Sequence, residues 1–516
     1  MTTPPFVRLH PEDNIAVAAR RVPEGAKFSF DGTGDLITAE TIDLGHKVAL
    51  RPIEAGQPIK KFGQTIGFAS TPIPVGGWVH VHNVTAGELS LDYAFCSEIP
   101  AAPMPIEGRT FQGYRRPDGR SATRNYIGII STVNCSATAS KYAAQKFDTA
   151  LLEQFPNVDG VVPLVHKGGC AMQYGGPDHQ QLTRTLSGFA RHPNIAAYIV
   201  LGLGCETGQA SFLMDNGGLL QLGGTSQLPS KAPLVMNIQD QGGIAKTVNR
   251  AVAAIRELLP DVNKVQRVPI PVSELMLGLE CGGSDGNSGT TANPALGFCS
   301  DLLVAHGGTA ILSEVTEIYG GEHLLTRRSV SREVGEALLE RIRWWIEYTG
   351  KFGERIDINP SVGNKKGGLT TIYEKSLGAI AKGGTTALRA VYKYAEAVTE
   401  KGFVVMDTPG YDPASVTGMV AGGGANVCCF TTGRGSCFGC KPVPTIKIAT
   451  NSPMYNRMVD DMDINAGRIL DGATIEDVGR EIFEEVIAVA GGKKTKSEAQ
   501  GIGDEEFCPW TYGPIT

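Results

Sequence analysis

The stretch Leu275-Met-Leu-Gly-Leu-Glu-Cys281-Gly-Gly-Ser-Asp-Gly-Asn-Ser-Gly-Thr-Thr-Ala-Asn-Pro294 carries the signals that decide the fold. Its apolar start reads as a buried strand, its small polar middle as a loop, and Pro294 as the opening of a helix over 294–306. Amides and hydroxyls in such a loop, set against a helix N-terminus, suit an anionic ligand. The same grammar recurs upstream. Residues 126–133, 158–165 and 197–203 are strand-like, and helical patterns lie between them, as at 140–155. Ile244, Val248, Val252, Ile255 and Leu259 recur at helical spacing, with Pro260 expected to end that helix. Further helices are predicted over 332–348 and 475–490. Strand–helix alternation predicts layered α/β domains with parallel strands.

The N-terminal region reads differently. Over 1–95, short alternating apolar runs are separated by turns at Pro23-Glu24-Gly25, Asp31-Gly32, Glu54-Ala55-Gly56 and Pro74-Val75-Gly76-Gly77, the pattern of a small all-β domain. A linker over 96–110 holds Pro100, Pro103 and Pro105. Two α/β domains follow, over 111–268 and 269–516. No internal repeat or low-complexity tract is visible.

Composition narrows the function. The 516 residues carry 47 Lys+Arg against 53 Asp+Glu, a formal charge of -6, which is no footprint for nucleic acid. No apolar run reaches the roughly 18 residues of a membrane span. No secretory signal is visible at Met1-Thr-Thr-Pro-Pro-Phe-Val-Arg, and eleven cysteines suit a reducing cytoplasm, where the protein is expected. Glycine is in surplus, 65 of 516, in a chain with 42% hydrophobic residues. That chain is too apolar to be disordered, so the glycines belong to sharp turns or ligand loops.

Cys135, Cys170, Cys205 and Cys281 each stand just beyond a strand-like run. Strand carboxyl ends are where α/β sheets bind ligands. Two readings stand: the four thiols converge on one soft metal or iron–sulfur centre, or they are independent loop and core cysteines. Their spacing matches no compact metal motif. His166, four residues before Cys170, is a further ligand or a general base. Cys437-Phe-Gly-Cys440 is a lone CxxC and reads as structural or incidental. The loops around Gly282, Gly283, Ser284, Asp285 and Asn293, around Asn364 and Lys365, and at Arg434 favour a small acid ligand. None is a phosphate-binding nucleotide loop. In the first domain, His80 and His82 fall on one strand face by the period of two, and His46-Lys47 precedes a strand. The two imidazoles of His80 and His82 are candidates for metal binding or proton transfer.

Ordered matches then add a family. The chain resembles the altronate/galactarate dehydratases over nearly its whole length. The matches include Asp13-Asn14, Gly45-His46-Lys47 and His80-Val-His82-Asn83 in a part like a SAF (β-clip) domain. Beyond it come Arg124-Asn125, His166-Lys-Gly-Gly-Cys170, Arg191-His-Pro-Asn194, Gly202-Leu-Gly-Cys-Glu206, Glu280-Cys-Gly-Gly-Ser-Asp-Gly286, Ser313-Glu314-Val-Thr-Glu317, Pro360-Ser-Val-Gly-Asn-Lys365 and Phe430-Thr-Thr-Gly-Arg-Gly435. The histidine-bearing segments look more like the altronate branch. The chain departs from the familiar pattern at Gly435-Ser-Cys437-Phe-Gly-Cys440.

The resemblance implies a hydro-lyase that turns a sugar acid into a 2-keto-3-deoxy acid, dependent on Fe2+ or another divalent ion such as Mn2+; the four-thiol reading adds an iron–sulfur cluster as the alternative. A related sulfolactate sulfo-lyase and a non-catalytic sugar-acid-binding protein are the other readings. The expected partners are a small sugar-acid substrate and other copies of the chain in a homo-oligomer, a dimer first, with no nucleic acid and no membrane. The expected metal residues are Cys135, Cys170, Cys205 and Cys281. The acid/base candidates are His46 and His166, then His80, His82 and Lys47. The residues expected to bind the acid are Gly282, Gly283, Ser284, Asp285, Asn293, Asn364, Lys365 and Arg434.

Overall fold

The computed structural model of the chain describes residues 4–30, 34–217 and 233–512. The turn expected at Asp31-Gly32 lies outside them. Two parallel sheets carry the larger part of the molecule. In the second domain the order is Gly160–Leu164, Tyr126–Ser131, Ile195–Gly202, Leu234–Asn237, every pair parallel. In the C-terminal domain seven parallel strands run Leu388–Tyr392, Gly402–Met406, Thr309–Leu312, Met276–Cys281, Val427–Thr432, Thr445–Ala449, Ile464–Asn465. From Met276–Cys281 the chain first builds to one side, through Thr309–Leu312. It then returns to lay Val427–Thr432 on the other. That reversal opens a crevice at the carboxyl ends of these two strands, the usual ligand position of an open α/β sheet.

The strand Met276–Cys281 is central and covered on both faces, so it is apolar up to Glu280 rather than alternating. Leu277 and Leu279 pack with Leu296, Cys299 and Leu303 of the helix Ala292–Ala305 and with Val478, Ile482 and Val486 of the helix Ile475–Ala490. Pro294 sits in the first turn of its helix, where its missing N–H costs no intrahelical bond. Two expectations about helices are corrected. The segment 140–155 is not one helix: Asn134–Ala144 ends first, and Asp148 caps a new turn, Thr149–Leu152, by accepting from Leu151 N at 2.9 Å. Pro260 does not end its helix, which runs Ile244–Asn263 because Leu259 and Val262 pack into the core on either side of it.

The first domain is all-β, as read. Its main sheet orders Phe6–Val7, Ile15–Ala18, Lys47–Ala49, Trp78–Val79, all antiparallel. It also contains a repeat that the sequence reading did not find. Val22-Pro-Glu-Gly25, Ile42-Asp-Leu-Gly45, Ile53-Glu-Ala-Gly56 and Ile73-Pro-Val-Gly76 each pair a buried aliphatic residue with a left-handed glycine, φ +74°, +79°, +81° and +76°. Bridges Val22↔Ile42 and Ile53↔Ile73 join them in pairs. Only two positions in each unit are constrained, too few to stand out in the sequence.

Glycine also explains how this domain docks. A Cβ on Gly286 or on Gly368 would overlap the Gly45 carbonyl oxygen, so the backbones of the first and last domains touch there. Beside the contact, Lys47 and Lys61 reach across to Glu374 at 2.8 and 2.9 Å, all three side chains buried.

Candidate active site

Four strand ends of the C-terminal sheet converge on one cluster. Cys281 ends Met276–Cys281, and Glu314 and Glu317 follow Thr309–Leu312. Asp412 follows Gly402–Met406, while Gly433 and Arg434 follow Val427–Thr432. Glu314 holds a left-handed backbone, φ +62°, fixed by its N–H donating to Thr408 Oγ1 at 2.7 Å. A non-glycine residue in that region is strained and is a recurrent mark of functional sites.

The cluster is dense in acid. Cys281 Sγ lies 3.4 Å from Glu314 Oε2 and 3.6 Å from Glu317 Oε2. Lys382 donates to Glu314 at 2.7 Å, Lys375 pairs with Glu317, and Asn359 Nδ2 donates to Glu317 at 2.7 Å. Glu280 is held by Ser313 Oγ at 2.7 Å. Asp412 receives Ser415 Oγ at 3.1 Å and, among the described residues, pairs with no lysine. Five acidic groups thus face two lysines in a buried space.

Their proton affinities record that imbalance. Burial, and then the Glu314 carboxylate, raise Glu280 and Cys281 well above their ordinary ranges and Asp412 to about 8. Glu317 is raised by burial and by Glu314, against the pull of Lys375. Burial also opposes ionisation of Glu314, but Lys382 and a hydrogen bond from Glu280 bring it below the ordinary carboxylate range. Burial works against the charged lysines too, and the surrounding acids outweigh it, so both hold their protons more tightly than usual.

Cys281, Gly282, Gly283, Glu317, Asn359, Asn364, Lys375, Tyr411 and Asp412 line a cleft of about 430 Å³ that opens to solvent. A larger hollow of about 840 Å³ lies at the amino ends of the strands against the linker, lined largely by its prolines, alanines and glycines, away from this chemistry. The donor atoms of Cys281, Glu314 and Glu317 lie within 4.8 Å of one another, the only such set of three among the described residues. Their excess negative charge, two carboxylates and a thiol at one point, matches what a divalent cation would neutralise. The residues present therefore fit the metal that the resemblance implies.

Known proteins match this architecture end to end. Residues 4–87 match the Altronate/galactarate dehydratase SAF domain, 113–263 the D-galactarate dehydratase/Altronate hydrolase second domain, and 272–515 the D-galactarate/Altronate dehydratase C-terminal domain. The galactarate dehydratase (L-threo-forming) of Escherichia coli is 38% identical over 518 residues, 99% of this chain and 97% of its own. The altronate dehydratase of Bacillus subtilis is 34% identical over 96% of each chain. The chain belongs to the D-galactarate/altronate dehydratase family. A (2R)-sulfolactate sulfo-lyase subunit beta from Chromohalobacter salexigens is also similar, 32% identical over 78% of this chain and 98% of its own.

Within this family scaffold the expected residues part company. The four cysteines do not form one centre. Cys281 is buried between two glutamates of the C-terminal sheet, whereas Cys135, Cys170 and Cys205 are exposed on the second domain's sheet. His166 is buried with Nε2 on the Ser131 carbonyl at 2.9 Å and Nδ1 accepting from Gly168 N, and burial lowers it to about 4. It faces neither cleft. His46 lines a second cleft of about 660 Å³ with Arg20, Arg21, Lys366, Arg434 and Arg457. Its Nδ1 accepts from Trp78 Nε1 at 3.1 Å and its Nε2 faces the Lys366 carbonyl at 3.2 Å, so both nitrogens are engaged.

His80 and His82 do not share a strand face. The strand ends at Val79, Asn83 closes a turn onto His80, and His82 is exposed while His80 is buried. Lys47 is wholly buried against Glu374, held to about 8 by burial, with Glu374 and the neighbouring Lys61 pulling in opposite directions.

The acid-binding loops divide as well. Gly282, Gly283 and Asn364 line the Cys281 cleft, and Asp285 and Arg434 the arginine-lined one. Lys366, rather than Lys365, reaches the latter. Asn293 spends its amide on Gly378 O and Thr431 Oγ1, and Asp285 accepts from Ser288, Thr450 and Asn451. Both hold loops in place. The Ser284 hydroxyl is buried without a partner, and its carbonyl fixes Asn364 Nδ2 at 2.8 Å. Cys437 and Cys440 are free thiols, one exposed and one buried.

The sequence reading missed Glu314, Glu317, Lys375, Lys382 and Asp412. A signal for two of them was present: Ser313-Glu-Val-Thr-Glu317 follows its strand as Cys281 follows its own.

Proposed function

We propose that the chain is a hydro-lyase that removes water from an aldonate or aldarate, altronate first among them, and yields a 2-keto-3-deoxy acid in a reducing cytoplasm. The observation that carries the reading is the under-neutralised acidic cluster around Cys281 at the switch point of the C-terminal sheet. The names of its relatives support the substrate class, and identities of 38% and 34% do not separate the two branches.

A divalent ion held by Cys281, Glu314 and Glu317 would polarise the substrate carboxylate and so acidify its α-proton. The residues do the rest. Lys375 and Lys382 keep Glu317 and Glu314 ionised and fixed. Asn359 and Asn364 hold the cleft wall in place, the first by donating to Glu317 and the second by donating to the Ser284 carbonyl. Asp412, free of a lysine, moves the proton. Its Oδ2 sits so near Gly282 that a Cβ there would stand 2.5 Å away, which is why that position needs glycine. As carboxylate it takes the proton from C2. The C2–H pair becomes the C2=C3 bond, the C3–O bond breaks, and the same proton passes to the departing hydroxide as water. The enol then rearranges to the keto acid. Positive charge entering the cluster favours the ionised form this requires.

The sulfo-lyase relative favours a second reading, loss of sulfite from sulfolactate. Anaerobic assays with Fe2+ on altronate, galactarate and sulfolactate decide between them. Keto acid from a sugar acid, without sulfite from sulfolactate, is expected. Sulfite alone overturns the reading.

A further inference from the structure

Three exposed thiols at strand ends have no part in the proposed chemistry. Cysteine is among the most buried residue types, yet Cys135, Cys170 and Cys205 are all exposed and free. They follow three neighbouring strands, Tyr126–Ser131, Gly160–Leu164 and Ile195–Gly202, whose carboxyl ends lie side by side, about 4.8 Å from strand to strand.

The loops bearing them are locked together. Asn134 N donates to Gly168 O at 3.1 Å, next to Cys135 and close to Cys170. Gly208 N donates to Gly169 O at 2.9 Å, tying the loop of Cys205 to that of Cys170. Thr132 Oγ1 donates to Glu206 Oε1 at 2.6 Å, joining the loops of Cys135 and Cys205. Gly169 has φ +93°, and a Cβ there would overlap the Thr132 carbonyl oxygen. A Cβ on Gly208 would stand 3.3 Å from both Gly169 O and Thr132 O. The backbone is thus drawn in tightly beneath the three thiols while the sulfurs stay open to solvent.

We propose that Cys135, Cys170 and Cys205 hold a [4Fe–4S] cluster with one iron left without a cysteine ligand. The choice of cluster over a single ion rests on spacing. Thiolates on one zinc, each about 2.3 Å from the metal, lie about 3.8 Å apart. Among the described residues these three sulfurs do not form a set within 4.8 Å of one another, as the donor atoms of Cys281, Glu314 and Glu317 do. A four-iron core spreads its thiolates wider than one ion can. Two further features suit a negatively charged cluster. Cys135 lies in the first turn of the helix Asn134–Ala144, which carries no side-chain cap and no acidic residue at that end. Gln239 Nε2 donates to Cys205 Sγ at 3.4 Å, the kind of bond that tunes a cluster. On assembly three S–H bonds give way to three S–Fe bonds and three protons leave. Ferrous and ferric iron in equal amounts, with sulfide, supply the core without net electron transfer.

The proposal stands apart from the dehydratase reading and its test does not measure turnover. The full-length chain is purified and reconstituted anaerobically with both iron states and sulfide. Iron and acid-labile sulfide are then measured with visible and electron paramagnetic resonance spectra. About four sulfides and five irons per chain are expected, four irons in the cluster and one at the Cys281 site. Cys135→Ser, Cys170→Ser and Cys205→Ser each lose most of both, and Cys281→Ser and Cys437→Ser keep the sulfide. Alkylation of the wild type guards against variants that fail to fold: Cys135, Cys170 and Cys205 are expected to label in the cluster-free chain and to be protected after reconstitution. Iron bound without sulfide, sulfide retained in the three variants, or equal labelling before and after reconstitution overturns the proposal.

Discussion

Asp412 lines the cleft with a hydroxyl on it where Glu314 and Glu317 have a lysine. Glu280 also has a hydroxyl, and both it and Asp412 are raised, Glu280 well above its ordinary range and Asp412 to about 8. Of these two, Asp412 lines the cleft. In the proposed mechanism Glu314 and Glu317 would hold the metal and Asp412 would move the proton. Replacing Glu317 with Gln removes a negative donor but keeps its shape. Fe2+ or Mn2+ affinity, measured by anaerobic titration calorimetry, should fall by about 10- to 100-fold, since one ligand charge is lost while the site stays assembled. Unchanged affinity would place the ion elsewhere. Little of this was legible in the residues alone. Cys281 stood out because a thiol after a strand is rare, whereas Asp412 and Lys375 are ordinary residues in loop and helix, and only the fold brings them to one point.

At the scale of elements, strand and helix identity was largely readable because the apolar periods are strong, as in Ile475–Ala490. Turn-level detail was not. His82 left its expected face because Asn83 takes the His80 N–H and folds the chain back, a local bond that the period of two does not encode. Matches to the family also divided by role. Arg124 is a buried clamp on Glu498, and Asn194 fastens Thr123 and Pro442, so both hold elements together. Lys47, Lys61 and Glu374 do the same between the first domain and the helix Ile372–Ile380. Glu374→Ala would strand two buried cations, a loss of about 3–5 kcal/mol, read as a lower denaturation midpoint. A midpoint within about 0.5 kcal/mol of the wild type would show that the pair of lysines does not depend on this carboxylate.

For the whole molecule, buried neutral histidines set part of the pH response. His192 is buried with Nε2 on the Ala425 carbonyl and Nδ1 accepting from Asn194 N, and burial holds it to about 3. Its folded affinity for protons lies below that of the unfolded chain, near 6.5, so the unfolded state binds the proton first as pH falls. The stability it contributes is complete above about pH 6.5 and is lost as pH falls towards 3. His192→Gln carries no such group. The stability of the wild type relative to this variant should therefore drop by about 2–3 kcal/mol between pH 7 and pH 4, followed by denaturant unfolding. A difference independent of pH would contradict the assignment.

The glycine surplus also resolves at this scale. Glycines line the repeated turns of the first domain, its contact with Gly286 and Gly368, and the Gly282 wall of the cleft. All three places require backbone where a side chain would not fit. They frame the cleft in which Asp412 is proposed to move a proton. Turnover of altronate and galactarate by iron-loaded wild type and Asp412→Asn, with folding and metal content matched, tests that cleft most directly. The isosteric change should leave both intact and cut the rate of keto-acid formation by about 10²- to 10⁴-fold. Turnover of the variant within about twofold of the wild type would contradict the central claim.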